Sequence, residues 1–248
     1  MSDFEVVVVG VGDTFSELYH STALLLICDG FHLAIDCPDM YRSALRAAAE
    51  RSGRSLSLSD IDHVLITHVH GDHMNGLEGV AFFKHFAEGK RVGLVTSPEV
   101  FAVIWDERLK ASMGVLWDGQ EFRKLSFDDY FEPLPLDWAA DTSVGPFRIR
   151  ARRTLHHVPT SALLIEAGGR TLGYSSDTAF DPALIAFLEP ADLIIHETNL
   201  GPAHTPYSAL AALPAELRAR MRLIHYPDGF DTRASTIIAL GEGEVLHP

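Results

Sequence analysis

Residues 67–73, with the sequence Thr-His-Val-His-Gly-Asp-His, bring together residue types that bind metal ions. The side chains in this segment that can bind a metal ion are those of His68, His70, Asp72 and His73. Imidazole nitrogens and carboxylate oxygens bind zinc, iron or manganese, and four of them so close together suit two ions better than one. Tracts that bind adventitious metal are usually of low complexity, and this segment is not. The cluster therefore predicts a metal site.

The residues on either side predict that this cluster follows a buried strand. Residues 61–66 are mostly apolar and rich in β-branched side chains, which is typical of a buried strand. Residues 74–77 favour a loop or the first turn of a helix. Loops at the ends of strands carry the binding side chains in many α/β folds. We therefore expect the metal site at the edge of a sheet.

Two later segments supply further ligand types at comparable positions. His156 precedes a strand–turn–strand pattern over residues 162–174, and Asp177 follows it. A hairpin returns the chain to its start, so His156 and Asp177 can lie on one edge. His225 ends a short apolar strand at residues 222–224.

The complete pattern resembles the metallo-β-lactamase superfamily. The residues that carry this resemblance are His68, His70, Asp72, His73, His156, Asp177 and His225. The resemblance implies an α/β fold, an αββα sandwich forming a single domain over residues 1–248, with the site at one edge of its two sheets. In the ligand sets that it implies, one metal is held by His68, His70 and His156, the other by Asp72, His73 and His225, and Asp177 bridges them.

Two divalent ions per chain are the cofactors implied, with Zn²⁺ expected and Mn²⁺ or Fe as alternatives. Two ions about 3.5–4 Å apart polarise a bridging water, which becomes hydroxide near neutral pH, and they stabilise charge on an attacked phosphoryl or carbonyl group. Asp72 is also a candidate catalytic residue, as the acceptor of a hydrogen bond from that water.

His156 and His157 compete for one ligand position. Consecutive strand residues point to opposite faces, so both cannot easily ligate one ion. The superfamily pattern His-x-Val-Pro-Ser/Thr aligns His156 with the ligand, and His157 is the alternative.

A second resemblance narrows the reaction. Residues 195–198, Ile-His-Glu-Thr, resemble the His-Glu-Ala-Thr box of the ribonuclease Z branch, and His204 with Thr205 resembles its His-Ser-Thr element. Carried over, His204 is a proton donor or phosphate ligand and Glu197 orients it, since a carboxylate sets the tautomer of an imidazole and raises its basicity. The alternative is that His204 is a surface residue of a Gly- and Pro-containing loop.

The chain departs from ribonuclease Z where that branch carries its tRNA-binding arm. The gap between His156 and Asp177 is 21 residues (177 − 156), which a hairpin fills. Ser176 also replaces the usual glycine of the Ser-Gly-Asp-Thr run, so the loop before Asp177 is expected to differ slightly.

A net charge of −14 further disfavours long nucleic acids, whose binding needs Lys and Arg. Four arginines at 148, 150, 152 and 153 form either a local basic patch or a solvated strand face.

The sequence thus predicts a dinuclear metal-dependent hydrolase, a phosphodiesterase acting on a small cyclic nucleotide or cyclic phosphate. The alternative is a lactone or thioester hydrolase of the same fold, whose usual Thr-Pro-Gly-His-Thr-Pro-Gly motif is missing at residues 156–160. A non-catalytic metal-binding module is disfavoured because all seven ligand positions are filled.

Composition adds few constraints. The 248 residues are 47% hydrophobic and 22% charged, as in ordinary globular domains. The sequence contains no run of 18 apolar residues, so no membrane span is expected. Its acidic start is unlike a secretory signal, and a cytoplasmic enzyme is therefore expected. Cys28 and Cys37 make no disulfide framework. Homodimers are common in the superfamily, but this sequence carries no signature of one.

The remaining pattern predicts an alternation of strands and helices. Strands are expected at 6–9, 22–28, 32–36, 91–96 and 191–196, and helices at 40–51, 77–87, 98–110, 181–188 and 214–219. The aromatic-rich stretch 113–140 is expected to be irregular, and its rings either pack in the core or form a wall of the substrate pocket.

Overall fold

Two seven-stranded sheets dominate the computed structural model, which describes residues 4–248. In chain order the strands are β1 (Glu5–Gly10), β2 (Ala23–Cys28), β3 (Phe31–Ile35), β4 (His63–Leu65), β5 (Val92–Thr96), β6 (Val115–Trp117), β7 (Phe122–Lys124), β8 (Phe131–Pro135), β9 (Thr142–Val144), β10 (Phe147–Arg153), β11 (Ser161–Ala167), β12 (Arg170–Tyr174), β13 (Leu193–Glu197), β14 (Met221–Ile224), β15 (Ile238–Ala239) and β16 (Val245–Leu246).

Short helices connect these strands. In chain order they are α1 (Tyr41–Ser52), α2 (Gly71–Met74), α3 (Leu77–Phe82), α4 (Pro98–Val103), α5 (Lys110–Met113), α6 (Phe127–Tyr130), α7 (Pro182–Leu188), α8 (Tyr207–Ala211) and α9 (Ala215–Ala219). Among residues 4–248, every helix is too short or too polar to cross a bilayer.

Each sheet has an antiparallel half and a parallel half. The first sheet has the order β16-β1-β2-β3-β4-β5-β8, and it is parallel from β3 to β8. The second has the order β15-β14-β13-β12-β11-β10-β9, and it is parallel from β12 to β15. Because ligand sites lie beyond the carboxyl ends of parallel strands, the two parallel halves are where a site is expected.

Strand β1 illustrates how the layers are held together. Val6 and Val8 pack between the two sheets, whereas Val7 and Val9 pack against the helices outside the first sheet. A separate apolar cluster, which includes Leu184 of α7, covers the outer face of the second sheet. Both sheets are thus covered by helices, which confirms the predicted αββα sandwich.

The stretch 113–140 contains more regular structure than predicted. It forms a hairpin of β6 and β7, the short helix α6, and β8, which extends the first sheet. Strand β8 contains Pro133 and Pro135, which donate no backbone hydrogen bonds, and its position at the sheet edge tolerates them. Tyr130 and Phe131 are buried, while Trp117 and Phe122 are exposed on the hairpin.

Two predicted helices are interrupted by wider turns. The helix expected at 77–87 becomes π-helical at Phe83–Glu88, and that expected at 98–110 becomes π-helical at Ile104–Leu109. A hydrophobic pattern with helical period does not distinguish one wider turn from regular helix, so these interruptions could not be predicted.

Gly76 fixes the position of the segment that follows the metal-binding motif. Its amide donates to the Cys37 carbonyl at 2.8 Å, and an added Cβ would lie 2.1 Å from the Pro38 carbonyl oxygen. Only a glycine allows this close approach.

We expect Gly76→Ala to lower the free energy of unfolding by about 1–3 kcal/mol, because the two backbones must separate. Gly79→Ala is the matched control, since its Cβ would meet nothing within 4 Å on α3, and it should be neutral or raise stability by up to about 1 kcal/mol. Urea unfolding of both variants measures the difference. Equal stabilities would contradict this role of Gly76.

Candidate metal centre

The seven predicted ligand residues come together at the carboxyl ends of the parallel strands. The first four follow β4 or lie in α2, and His156 lies in the loop between β10 and β11. Asp177 follows β12, and His225 follows β14. The first sheet thus contributes one part of the cluster and the second sheet the other. The Ser161 amide, which donates to the Thr67 carbonyl at 3.1 Å, joins the two sheets beside it.

Three histidines surround one point. The Nδ1 atom of His70 lies 3.0 Å from Nε2 of His68 and 3.3 Å from Nε2 of His156. Two imidazole nitrogens bound to one zinc ion, with Zn–N bonds of about 2.0–2.1 Å, are themselves about 3.3 Å apart. The spacing of these nitrogens therefore matches that of ligands to one cation.

Asp177 lies at the centre of the cluster. Its Oδ2 atom is 3.4 Å from Nε2 of His225 and 3.7 Å from Nε2 of His68, and its Oδ1 atom is 3.4 Å from Nε2 of His73. Its side chain is 3% exposed, so water does not solvate the carboxylate. One carboxylate thus faces histidines of both sheets.

Three groups of ligand atoms could each hold an ion, and Asp177 belongs to two of them. The groups are His68, His70, His156 and Asp177; Asp72, His73 and His225; and Asp177, His204 and His225. The buried atoms His73 Nε2 and Asp177 Oδ1 have no hydrogen-bond partner. Since unpaired buried polar atoms are costly, these two atoms fit coordination by a divalent cation.

Hydrogen bonds to the opposite ring nitrogen orient four of the histidines. His73 donates from Nδ1 to Asp36 at 2.8 Å, and His68 from Nδ1 to Thr67 Oγ1 at 3.0 Å. Nδ1 of His156 donates to the Ala203 carbonyl at 3.1 Å, and Nδ1 of His225 to the Thr22 hydroxyl at 3.1 Å. With the proton on Nδ1, the lone pair of each Nε2 is free to bind metal. Metal-bound histidines commonly donate their other ring N–H to a partner in this way.

Asp36 is a buried residue beside the cluster that the sequence analysis missed. It is fully buried at the end of β3 and accepts hydrogen bonds from the Thr67 amide at 2.8 Å, the Thr67 hydroxyl at 2.9 Å, and His73. Strands β3 and β4 pair in parallel, so the residues that follow them are neighbours. A carboxylate at the end of the buried strand beside the metal motif was the available signal.

Burial and charge set the protonation of the cluster. Burial lowers the pKa of His68, and it lowers that of His156 to about 4, so both rings are neutral near pH 7. Burial raises the pKa of the Asp177 carboxyl, but the facing imidazoles, chiefly those of His225 and His73, outweigh it and hold that pKa well below its usual range. The carboxylate of Asp177 is therefore negative, and the neutral rings of His68 and His156 beside it offer lone pairs, which together favour a bound cation.

The pKa of His73 also indicates that a positive charge is favoured in the cluster. Burial lowers its pKa, yet Asp177 and Asp36 outweigh burial and raise that pKa well above its usual value. The two carboxylates therefore favour a positive charge at this ring, which a proton or a metal ion can supply.

The geometry distinguishes His156 from His157. The His156 side chain is fully buried, and its Nε2 lies 3.9 Å from Asp177 Oδ2. The His157 ring is exposed and packs against the rings of His156 and His70, with centroids 4.2 and 4.7 Å away. His156 is thus the member of the pair that joins the cluster.

His204 and Glu197 lie beside this cluster. Nδ1 of His204 is 3.0 Å from Glu197 Oε1, which also accepts from the Thr178 amide at 2.8 Å. The His204 ring stacks on that of His225 at 5.5 Å, and its side chain is 20% exposed. Burial, assisted by the charge of Asp177, raises the pKa of Glu197 well above its usual value.

Ser176 precedes Asp177 with a φ of 49°. This is the left-handed region that glycine adopts freely and other residues adopt at a cost. The loop thus keeps the backbone conformation that suits glycine, although a serine occupies the position.

The four arginines before His156 lie on the surface. Arg148 and Arg150 both bind Asp141, at 2.7 and 2.8 Å. Arg153 pairs with Glu99, and its guanidinium lies 5.1 Å from the centre of the Trp138 ring. Arg148 also pairs with Glu166, and Arg152 lies 3.4 Å from Asp181, so four acidic side chains neutralise the four arginines.

The chain is similar in sequence to several known proteins. The family model described as "Anti-Pycsar protein Apyc1" matches residues 4–241. An Anti-Pycsar protein Apyc1 of Paenibacillus sp. (strain J14) is 31% identical over 233 residues, which cover 90% of this chain and 89% of that protein. A cAMP/cGMP-dependent 3',5'-cAMP/cGMP phosphodiesterase B of Dictyostelium discoideum is 24% identical over 97% of this chain and 21% of its own length.

Among solved structures, the metallo-β-lactamase fold protein YhfI of Bacillus subtilis is similar with a TM-score of 0.79 and 19% identity. The match covers 99% of this chain and 100% of that one. It confirms the fold that the motif predicted.

We expect Asp36→Asn to weaken metal binding by roughly 10–100-fold, because an amide cannot accept from both His73 and Thr67 as the carboxylate does. Competition with a chromogenic chelator measures the affinity.

Asp62→Asn is the matched control, since Asp62 is exposed and accepts from the His32 amide at 2.8 Å, away from the cluster. Equal metal affinity in both variants would show that Asp36 does not position the ligands.

Proposed function

Since the chain belongs to the Anti-Pycsar protein Apyc1 family, we propose that it is a metal-dependent phosphodiesterase that hydrolyses small 3',5'-cyclic nucleotides. The observation that carries the proposal is the convergence of seven His and Asp side chains on one centre, with the His204–Glu197 pair beside it.

The proposed cofactors are two divalent ions, preferably Zn²⁺. His68, His70 and His156 would hold one and Asp72, His73 and His225 the other, with Asp177 shared. Mixed imidazole and carboxylate ligands suit zinc, and manganese or iron can replace it. Bound ions of this kind supply Lewis acidity toward the phosphate and lower the pKa of water.

The chain's own residues would handle the protons. Hydrolysis forms a P–O bond to water and breaks one P–O bond of the cyclic phosphate, so the leaving oxygen needs a proton. His204 is placed to donate it, because Glu197 holds Nδ1 and leaves Nε2 directed away from that bond. Asp72 would accept a hydrogen bond from the attacking water. The 20% exposure of His204 lets it meet a substrate that enters from solvent.

The related proteins favour this reaction over the alternatives. The Dictyostelium relative is named a phosphodiesterase of cAMP and cGMP, which agrees with the small phosphodiester expected from the sequence. A lactone or thioester hydrolase has no comparable support. The neutralised arginine patch and the net charge of −14 also disfavour long nucleic acids.

We expect His204→Ala to lower the turnover of 3',5'-cyclic AMP by about 100-fold or more, because a general acid contributes about 10²–10⁴-fold. The bound metal should remain, as measured by elemental analysis of the same sample.

His157→Ala is the matched control, since this exposed imidazole is also near the cluster and has no proposed role. Loss of metal from His204→Ala would instead make His204 a ligand, which its approach to Asp177 and His225 also permits. Unchanged turnover would remove His204 from the mechanism.

Turnover by the wild-type protein should scale with metal content and be selective for phosphodiesters. Protein loaded with two Zn²⁺ should hydrolyse 3',5'-cyclic AMP and bis(p-nitrophenyl) phosphate, chelation should abolish both activities, and added Zn²⁺ should restore them. A lactone and a thioester are the comparison substrates. Turnover of these two alone would refute the proposed reaction while leaving the metal site intact.

A further inference from the structure

Exposed apolar side chains lie on the loops that border the His/Asp cluster. Phe15 is 85% exposed and Leu18 is 68% exposed in the loop after β1. Leu200, 76% exposed, lies between Glu197 and His204 in sequence. Large apolar groups in water, close to a polar centre, are typical of a ligand-binding site.

One buried carboxylate joins the loops of Phe15 and Leu200. Asp13 is 5% exposed, and its Oδ1 accepts from the Phe15 amide at 3.0 Å. Its Oδ2 accepts from the Asn199 side-chain amide at 3.1 Å, and the Leu200 amide donates to Asn199 Oδ1 at 2.7 Å. Phe15 and Leu200 are therefore held on neighbouring segments.

The same loop is fastened beside His225. Gly12 pairs with Tyr226, the residue after His225, and the Tyr226 amide donates to the Val11 carbonyl at 3.3 Å. Farther along, Asp228 accepts from the Ser16 hydroxyl and from the Glu17 amide. Phe15 thus lies on a loop anchored on both sides of its exposed ring.

We propose, building on the function proposed above, that Phe15 and Leu200 form the nucleobase-binding surface. Phe15 stacks on the base, and Leu200 packs against the same base while the cyclic phosphate occupies the His/Asp cluster. Stacking does not depend on the hydrogen-bonding edge of a base, because every base has a π-face. The surface should therefore accept purines and pyrimidines, with purines favoured by their larger rings.

The test is Phe15→Ala, assayed with 3',5'-cyclic AMP and with the 3',5'-cyclic phosphate of 1-O-methylribose, which has no base. Stacking of one base on an aromatic ring corresponds to roughly 5- to 150-fold in affinity. We expect KM for cyclic AMP to rise by this factor, with kcat changed by less than about twofold. The base-free substrate should show the wild-type KM in the variant.

Two further variants complete the experiment. Phe15→Trp should restore the low KM, since it keeps an aromatic surface. Phe86→Ala is the matched control, because Phe86 is also exposed, at 61%, but lies in the π-helical turn after α3; it should leave KM unchanged.

The outcomes separate this inference from the proposed function. If wild-type protein hydrolyses cyclic AMP and Phe15→Ala does so with an unchanged KM, the base surface is wrong and the phosphodiesterase stands. An equal rise in KM for both substrates would also overturn the base contact. If wild-type protein hydrolyses neither substrate, the proposed function itself fails.

Discussion

The buried negative charge of Asp177 is the constraint on which the rest of the centre depends. A carboxylate without water is costly unless an opposite charge or hydrogen bonds compensate it. The rings that face it belong to both sheets, and burial keeps two of them, His68 and His156, uncharged. Neutral rings offer lone pairs rather than charge. The arrangement is therefore balanced best when cations lie between the carboxylate and the nitrogens.

The backbone around the centre accepts strain to achieve this geometry. Asp36, Ser176 and His225 all have positive φ, at 61°, 49° and 57°. Each lies at or just beyond the end of a parallel strand, where the chain must turn at once to direct a side chain inward. Such conformations persist where surrounding contacts enforce them and are common at functional sites. The buried bonds to Asp36 and Thr22 supply those contacts here.

The sequence was most informative where residue type and spacing carry chemistry. The motif at residues 67–73, the strands around it and the later ligands required only local pattern and order, and the fold followed from the resemblance. Asp36 was missed although it ends a predicted strand, because its contacts with Thr67 and His73 depend on the parallel pairing of β3 and β4. Strand β8 was hidden by its two prolines, which a sheet edge tolerates. The Asp13 contacts join residues 186 positions apart, a separation that local patterns do not encode.

The origin of the ligands in two different sheets has a consequence for the lifetime of the protein. An ion bound by both His70 and His156 would link the two sheets. The unfolded chain does not hold these residues together, so the ion would bind the folded state only. Such a ligand stabilises the native state in proportion to the logarithm of its free concentration. A chain made during metal starvation would therefore open more often and be degraded sooner, so that metal supply would control the amount of the enzyme as well as its activity.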